Sequence, residues 1–121
     1  MIISSYNIHS CVGSDFEYDV SRVAHTISAL ASDIVALQEV EVNKANQKTR
    51  LWSFVHEDDQ PALLAAATGL VHHAFAPAVK SIYTGMVVEE HDTELAQNGH
   101  FGVAILSKHP ILEQVREATK D

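Results

Sequence analysis

Apolar positions recur along this chain in two periods. Residues 2–8 (IISSYNI) alternate loosely and are rich in β-branched side chains, which predicts a first strand. Asp19 is placed to cap a helix. After it Val20, Val23, Ala24, Ile27, Leu30 and Ala31 recur at spacings of three and four, one apolar stripe that stops at Ser32-Asp33. Residues 34–40 (IVALQEV) form a short apolar run with β-branched members, the pattern of a buried strand. Strand, helix and strand in this order make a βαβ unit, with parallel strands and a right-handed crossover. Between the first strand and the helix, Gly13, Ser14 and Asp15 mark residues 10–18 as a loop.

The second part of the chain is less regular. Residues 41–58 are polar and loop-like, although Leu51, Trp52, Phe54 and Val55 must pack somewhere. Asp59 caps a second predicted helix, with Pro61 in its first turn, Leu63, Leu64 and Ala67 facing inward and Gly69 ending it. Residues 71–77 and 81–88 read as strands, 89–98 as a polar loop and 101–107 (FGVAILS) as a buried strand. Pro110 opens a turn, and the alternation in ILEQVREAT (111–119) predicts a final edge strand. The expected class is α/β: a βαβ start and a mixed sheet with flanking helices, in one domain over residues 1–121.

Composition narrows the functional classes. In 121 residues, 46% are hydrophobic and 20% charged, the balance of a globular domain and not of a disordered tail. A chain of this size buries ~65% of its unfolded surface. No apolar run approaches the ~20 residues of a membrane span. MIISSYNIHS has no basic stretch followed by an apolar core, so a cytoplasmic location is expected. The single cysteine, Cys11, rules out an internal disulfide and a multi-cysteine zinc site. It has no strongly basic neighbour in sequence to activate it and reads as an incidental thiol. A net charge of −8 disfavours non-specific attachment to nucleic acid but is compatible with a metal-loaded cleft that cleaves it.

Two polar side chains fall where a βαβ unit builds its sites, at the C-terminal ends of the strands. Asn7 ends the first strand, and His9, two residues on, would share its face if the strand continues. Glu39, beside Gln38, ends an apolar strand. A carboxylate there must be solvated, paired or holding a cation. An oxygen-ligated Mg²⁺, completed by water and substrate phosphate, suits it. The ordinary alternatives are an Asn that caps a turn and a Glu that ends its strand in solvent. The eight histidines form no metal motif and read mostly as surface residues; His72 and His73, adjacent on a strand, face opposite sides. Lys44, Lys48 and Arg50 make a small basic run, a solvated or phosphate-contacting loop, and residues 89–94 an acidic one.

Taken together, SYNIHSCVGSDFEYDVSRVAHTISALASDIVALQEVE and GHFGVAILSKHPI resemble the endonuclease/exonuclease/phosphatase superfamily, the deoxyribonuclease-like metal-dependent phosphodiesterases. The similar elements are Tyr-Asn-Ile at the first strand end, Asp19 and Arg22 at the helix entry, Asp-Ile-Val-Ala-Leu-Gln-Glu-Val at 33–40 and the strand at 99–111. The segment from Asp59-Gln60 to Thr68-Gly69 fits the helix between them. The resemblance implies a phosphodiester hydrolase in which Glu39 holds a single Mg²⁺ or Mn²⁺ ion and Asn7 touches phosphate or water. It implies a phosphodiester substrate: nucleic acid, phospholipid head group or small molecule. His9 stands where many nucleases of the family carry Asp. Gly-Val-Ala at 102–104 is nearer to several of its nucleases than to its lipid-directed members, which have Gly-Asn-Ala.

The same resemblance exposes a gap. The family's Asp-x-Asn and terminal Ser-Asp-His elements do not occur in these residues. The chain is therefore expected to supply about half of the family's four-layer α/β sandwich, as a fragment inactive or weakly active by itself. It would expose a sheet face, with Val35, Leu37, Val103 and Ile105 as candidates, to the missing C-terminal half or to a second copy in a homodimer. The competing expectation is a non-catalytic half-domain that serves as a dimerisation or partner-binding module.

Overall fold

The computed structural model describes residues 1–43, 55–79 and 100–115, with Ala78, Val79 and His100 described by their backbone alone. β1 (Ile3–Asn7) leads through a 3₁₀ turn (His9–Cys11) to α1 (Val20–Ala29) and β2 (Ile34–Val42); α2 (Gln60–Thr68), β3 (His72–Val79) and β4 (His100–Ser107) follow. The described strands form one mixed sheet in the order β1-β2-β4-β3. β1 and β2 are parallel, Ile3 paired with Ile34 and Asn7 with Gln38, while β4 runs antiparallel to both β2 and β3. The α/β reading and the βαβ start hold. The predicted strand at 81–88, the loop at 89–98 and the basic run at 44–50 lie outside the described residues.

Local chemistry fixes the helix ends. The Asp19 side chain accepts from the Arg22 N–H at 3.0 Å, and that of Asp59 from the Ala62 N–H at 3.1 Å, each satisfying a donor that the first helical turn leaves over. Pro61 sits in the first turn of α2, where no N–H is needed, and Gly69 closes the helix at φ 77°, a left-handed conformation that suits glycine. Both helices lie on one face of the sheet. Val23, Ala24 and Ile27 of α1 and Leu64 and Ala65 of α2 meet Val35, Leu37, Ala104 and Leu106 in a single core. Each fully buried valine, leucine or isoleucine among them stabilises the fold by about 1.5–3 kcal/mol. Gly102 is required by the pairing of β3 with β4: a Cβ there would lie 2.1 Å from the Ala76 carbonyl oxygen.

Several expectations are corrected. Val35 and Leu37 are not on the open face; they are fully buried beneath the helices. The face away from the helices carries Val103 and Ile105, each 45% exposed, because side chains alternate across the sheet and these two are out of phase with Ala104 and Leu106. Leu63 and Ala67 point outward, and α2 buries Gln60, Pro61, Leu64 and Ala65 instead. α1 ends at Ala29, so Leu30 and Ala31 lie past its last turn and are exposed. Residues 111–115 are not a strand. They run exposed, and the Gln114 side chain, not the backbone, donates to the Phe75 carbonyl at 3.1 Å. Among the described residues no helix is long and apolar enough to cross a membrane.

Candidate functional site

The parallel ladder brings the two sequence-derived candidates to neighbouring positions. Asn7 is the last paired residue of β1 and stands opposite Gln38; Glu39 is next on β2. One further bond, from the Ile8 N–H to the Gln38 carbonyl at 3.1 Å, closes the ladder. At this level both chains leave regular geometry. On β2, Leu37 pairs with Ala104 and Val40 with Gly102, so Gln38 and Glu39 together stand opposite Val103. This is a β-bulge, and Glu39 adopts φ 55° within it. On the other chain His9, Ser10 and Cys11 take φ 52°, 56° and 62°, three successive left-handed residues without a glycine. Such conformations persist only where the surroundings hold them, and they concentrate at functional sites.

Asn7 is exposed, and its Oδ1 accepts from the His9 N–H at 2.9 Å, which anchors the turn to the strand end. A carbonyl oxygen has a second lone pair. Asn7 and His9 line one cleft of about 540 Å³ between the turn and α1, together with Ser14, Asp15 and Arg22; Glu39 does not line it. Arg22 grips Asp15 through both ends of its guanidinium, at 2.8 and 2.9 Å. That bond holds the Asp15 carboxyl down to about 2.

A buried polar cluster behind the bulge was not foreseen, because none of its members forms a recognisable motif. Glu41 is 0% exposed. His56, its side chain 6% exposed, meets the Glu41 carboxylate through Nε2 at 2.9 Å. The Asp58 N–H donates to His56 Nδ1 at 3.0 Å, so the ring proton sits on Nε2 and is given to Glu41. His56 is thus a core residue and not a surface one, and it stacks on Tyr18 at 4.9 Å between ring centres. Tyr18 in turn donates to Asp58 at 2.8 Å. Burial, and then the bond to Asp58, push the Tyr18 hydroxyl well above its usual range.

Cys11 lies in the same region. Burial, and then the charges of Glu41, Asp58 and Asp19, push its thiol up to about 12. The thiolate is the reactive form, so Cys11 is no nucleophile at neutral pH. The native chain should label with Ellman's reagent only slowly and become fully reactive in guanidinium chloride; rapid labelling of native protein would contradict this burial.

Among the described residues no three His, Cys, Asp or Glu side chains converge as a metal cage. The donors at the strand ends are instead one carboxylate, Glu39, and one amide oxygen, Asn7. A hard carboxylate oxygen of this kind fits Mg²⁺ or Mn²⁺, which keep several waters and take the rest of their shell from phosphate. The same set does not fit zinc, which favours nitrogen and sulfur.

A model of the Endonuclease/Exonuclease/phosphatase family matches residues 4–119. Among solved structures, an endonuclease/exonuclease/phosphatase from Beutenbergia cavernae DSM 12333 is 30% identical, with a TM-score of 0.62 over 93% of this chain. A family protein from Leptotrichia buccalis C-1013-b shares the fold at 18% identity, with a TM-score of 0.56 and again 93% coverage. The chain spans 27% and 40% of the length of these two proteins. No curated protein matches it.

Proposed function

The chain belongs to the Endonuclease/Exonuclease/phosphatase family, and from that premise we propose that it carries the cation-holding part of a phosphodiester hydrolase site. Glu39 holds one Mg²⁺ or Mn²⁺ ion, and Asn7 orients the phosphate or a water beside it. The observation that supports this most is the placement of a hard carboxylate and an amide oxygen at neighbouring positions of paired strand ends, where both backbones leave regular geometry.

A bound divalent ion supplies Lewis-acid polarisation of the phosphoryl oxygen and a more acidic water. The work of the protein is positional. Glu39 sits in a bulge, which re-aims a side chain without breaking the sheet. Asn7 uses one lone pair of Oδ1 on the His9 N–H, which fixes the amide plane and leaves the second for a water proton. Hydrolysis also needs a base for the attacking water and a donor for the charge that grows on phosphorus, each worth orders of magnitude in rate. The resemblance assigns those tasks to Asp-x-Asn and Ser-Asp-His elements, which these 121 residues do not contain. The chain by itself therefore holds the ion and the phosphodiester with little or no turnover.

The test is hydrolysis of bis-p-nitrophenyl phosphate by the folded chain with Mg²⁺ and with EDTA, beside Glu39→Ala. No EDTA-sensitive turnover is expected. Turnover abolished both by EDTA and by Glu39→Ala would keep the chemistry and overturn the half-site reading. Turnover that survives both would overturn the role given to Glu39.

A further inference from the structure

The buried cluster behind the bulge contains one side chain that bonds both backbone segments leading away from the proposed site. Gln60, the first residue of α2, is 0% exposed. Its Oε1 accepts from the Glu41 N–H at 2.7 Å, and its Nε2 donates to the Ser10 carbonyl at 3.1 Å. The Tyr18 hydroxyl lies 3.4 Å from the same nitrogen. Glu41 follows Glu39 by two residues, and Ser10 follows Asn7 by three.

These contacts fall where the sheet stops doing the same task. The ladder between β1 and β2 ends with the bond from Ile8 to Gln38. Past it, one chain enters the left-handed turn and the other the bulge, and both carry backbone angles that L-residues rarely adopt. The Gln60 amide bonds the backbone of both segments at once, one as acceptor and one as donor. Gln is suited to this because its side chain offers both functions, at a reach that a backbone group on α2 lacks. Buried backbone groups must be paired, so this amide also fixes the separation of the two segments.

We infer that Gln60 is a positioning residue: by bonding the Glu41 N–H and the Ser10 carbonyl at once it holds the bulge that carries Glu39 in place against the turn after Asn7, and so sets the affinity of Glu39 for the divalent ion. The inference rests on the proposed role of those two residues. A purely structural Gln60 would affect stability and leave ion affinity alone, and this difference makes the two separable.

The test is Mn²⁺ affinity of the full chain, read from the electron paramagnetic resonance signal of free Mn²⁺, beside urea unfolding of each protein. Gln60→Met keeps the volume and removes both bonds. Gln60→Glu keeps the acceptor for Glu41 and removes the amide donor to Ser10. Leu64→Ala, one turn along the same helix and fully buried, controls for lost stability. Residues that orient metal ligands typically carry about 10–100-fold of the affinity, so Gln60→Met is expected to weaken Mn²⁺ binding about tenfold. Gln60→Glu should fall in between, and Leu64→Ala should bind as the wild type does. Folded Gln60→Met with wild-type affinity, in a series where Glu39→Gln abolishes binding, overturns the inference. If Glu39→Gln binds normally, the reading of the site itself falls and takes this one with it.

Should Gln60→Met fail to fold, the wild-type chain gives the answer by nuclear magnetic resonance. Mg²⁺ should move the Gln60 side-chain NH₂ and Glu41 amide signals while those of Leu70 stay in place. If the Gln60 and Glu41 signals remain fixed at saturating Mg²⁺, the inference is overturned.

Discussion

Replacing His56 with alanine should destabilise the fold by about 3 kcal/mol, the order of cost when a buried charged group loses a hydrogen-bond donor. The reason is the setting of Glu41. Its side chain is fully buried, and the His56 Nε2–H reaches it at 2.9 Å. Alanine takes away that donor and leaves the carboxylate in the core short of a partner. It also removes the ring stacked on Tyr18 and the acceptor of the Asp58 N–H. Urea unfolding should show the loss as a lower midpoint with little change in slope. Adding Glu41→Gln to His56→Ala should recover part of it, since an amide costs less than a carboxylate to bury without its partner. A cost below about 1 kcal/mol, or no recovery in the double variant, would mean that the pair contributes little to the fold.

That cluster marks the limit of what the sequence discloses. The βαβ start was legible because its signals are local: a β-branched run, a cap at Asp19 with a stripe at three and four, and a second apolar run. α2 was legible at both ends for the same reason, through Asp59, Pro61 and Gly69. Its inward face was not. Counting apolar residues selects Leu63, Leu64 and Ala67, but the polar Gln60 is drawn inside by bonds to Glu41 and Ser10, and the helix then buries Gln60, Pro61, Leu64 and Ala65. A buried amide with two backbone partners has no signature in composition or period. His56 was missed likewise, since its burial depends on Glu41 and Tyr18, which are distant in sequence.

The stretch from 111 showed the opposite failure. Its alternation is genuine, but a strand needs backbone partners, and at Gln114 it is a side chain that bonds β3. For the candidate site, Asn7 and Glu39 could be named from strand-end position and family resemblance. The backbone angles around them could not. Three left-handed residues without glycine after Asn7, and a positive φ at Glu39, contradict local propensity. Such conflicts with local propensity gather where function competes with ease of folding.

The second large effect concerns Glu39 itself and is the most direct test of the account. Mn²⁺ should be titrated into the wild-type chain and into Glu39→Gln, with bound ion followed by electron paramagnetic resonance and folding checked by circular dichroism. Glutamine keeps the shape and one oxygen but removes the charge that a hard cation requires. The account predicts one saturable site in the wild type that Mg²⁺ displaces, and its loss in a folded Glu39→Gln protein. Equal binding by the two proteins would contradict the assignment of Glu39, as would a wild-type chain that is folded and takes up no ion.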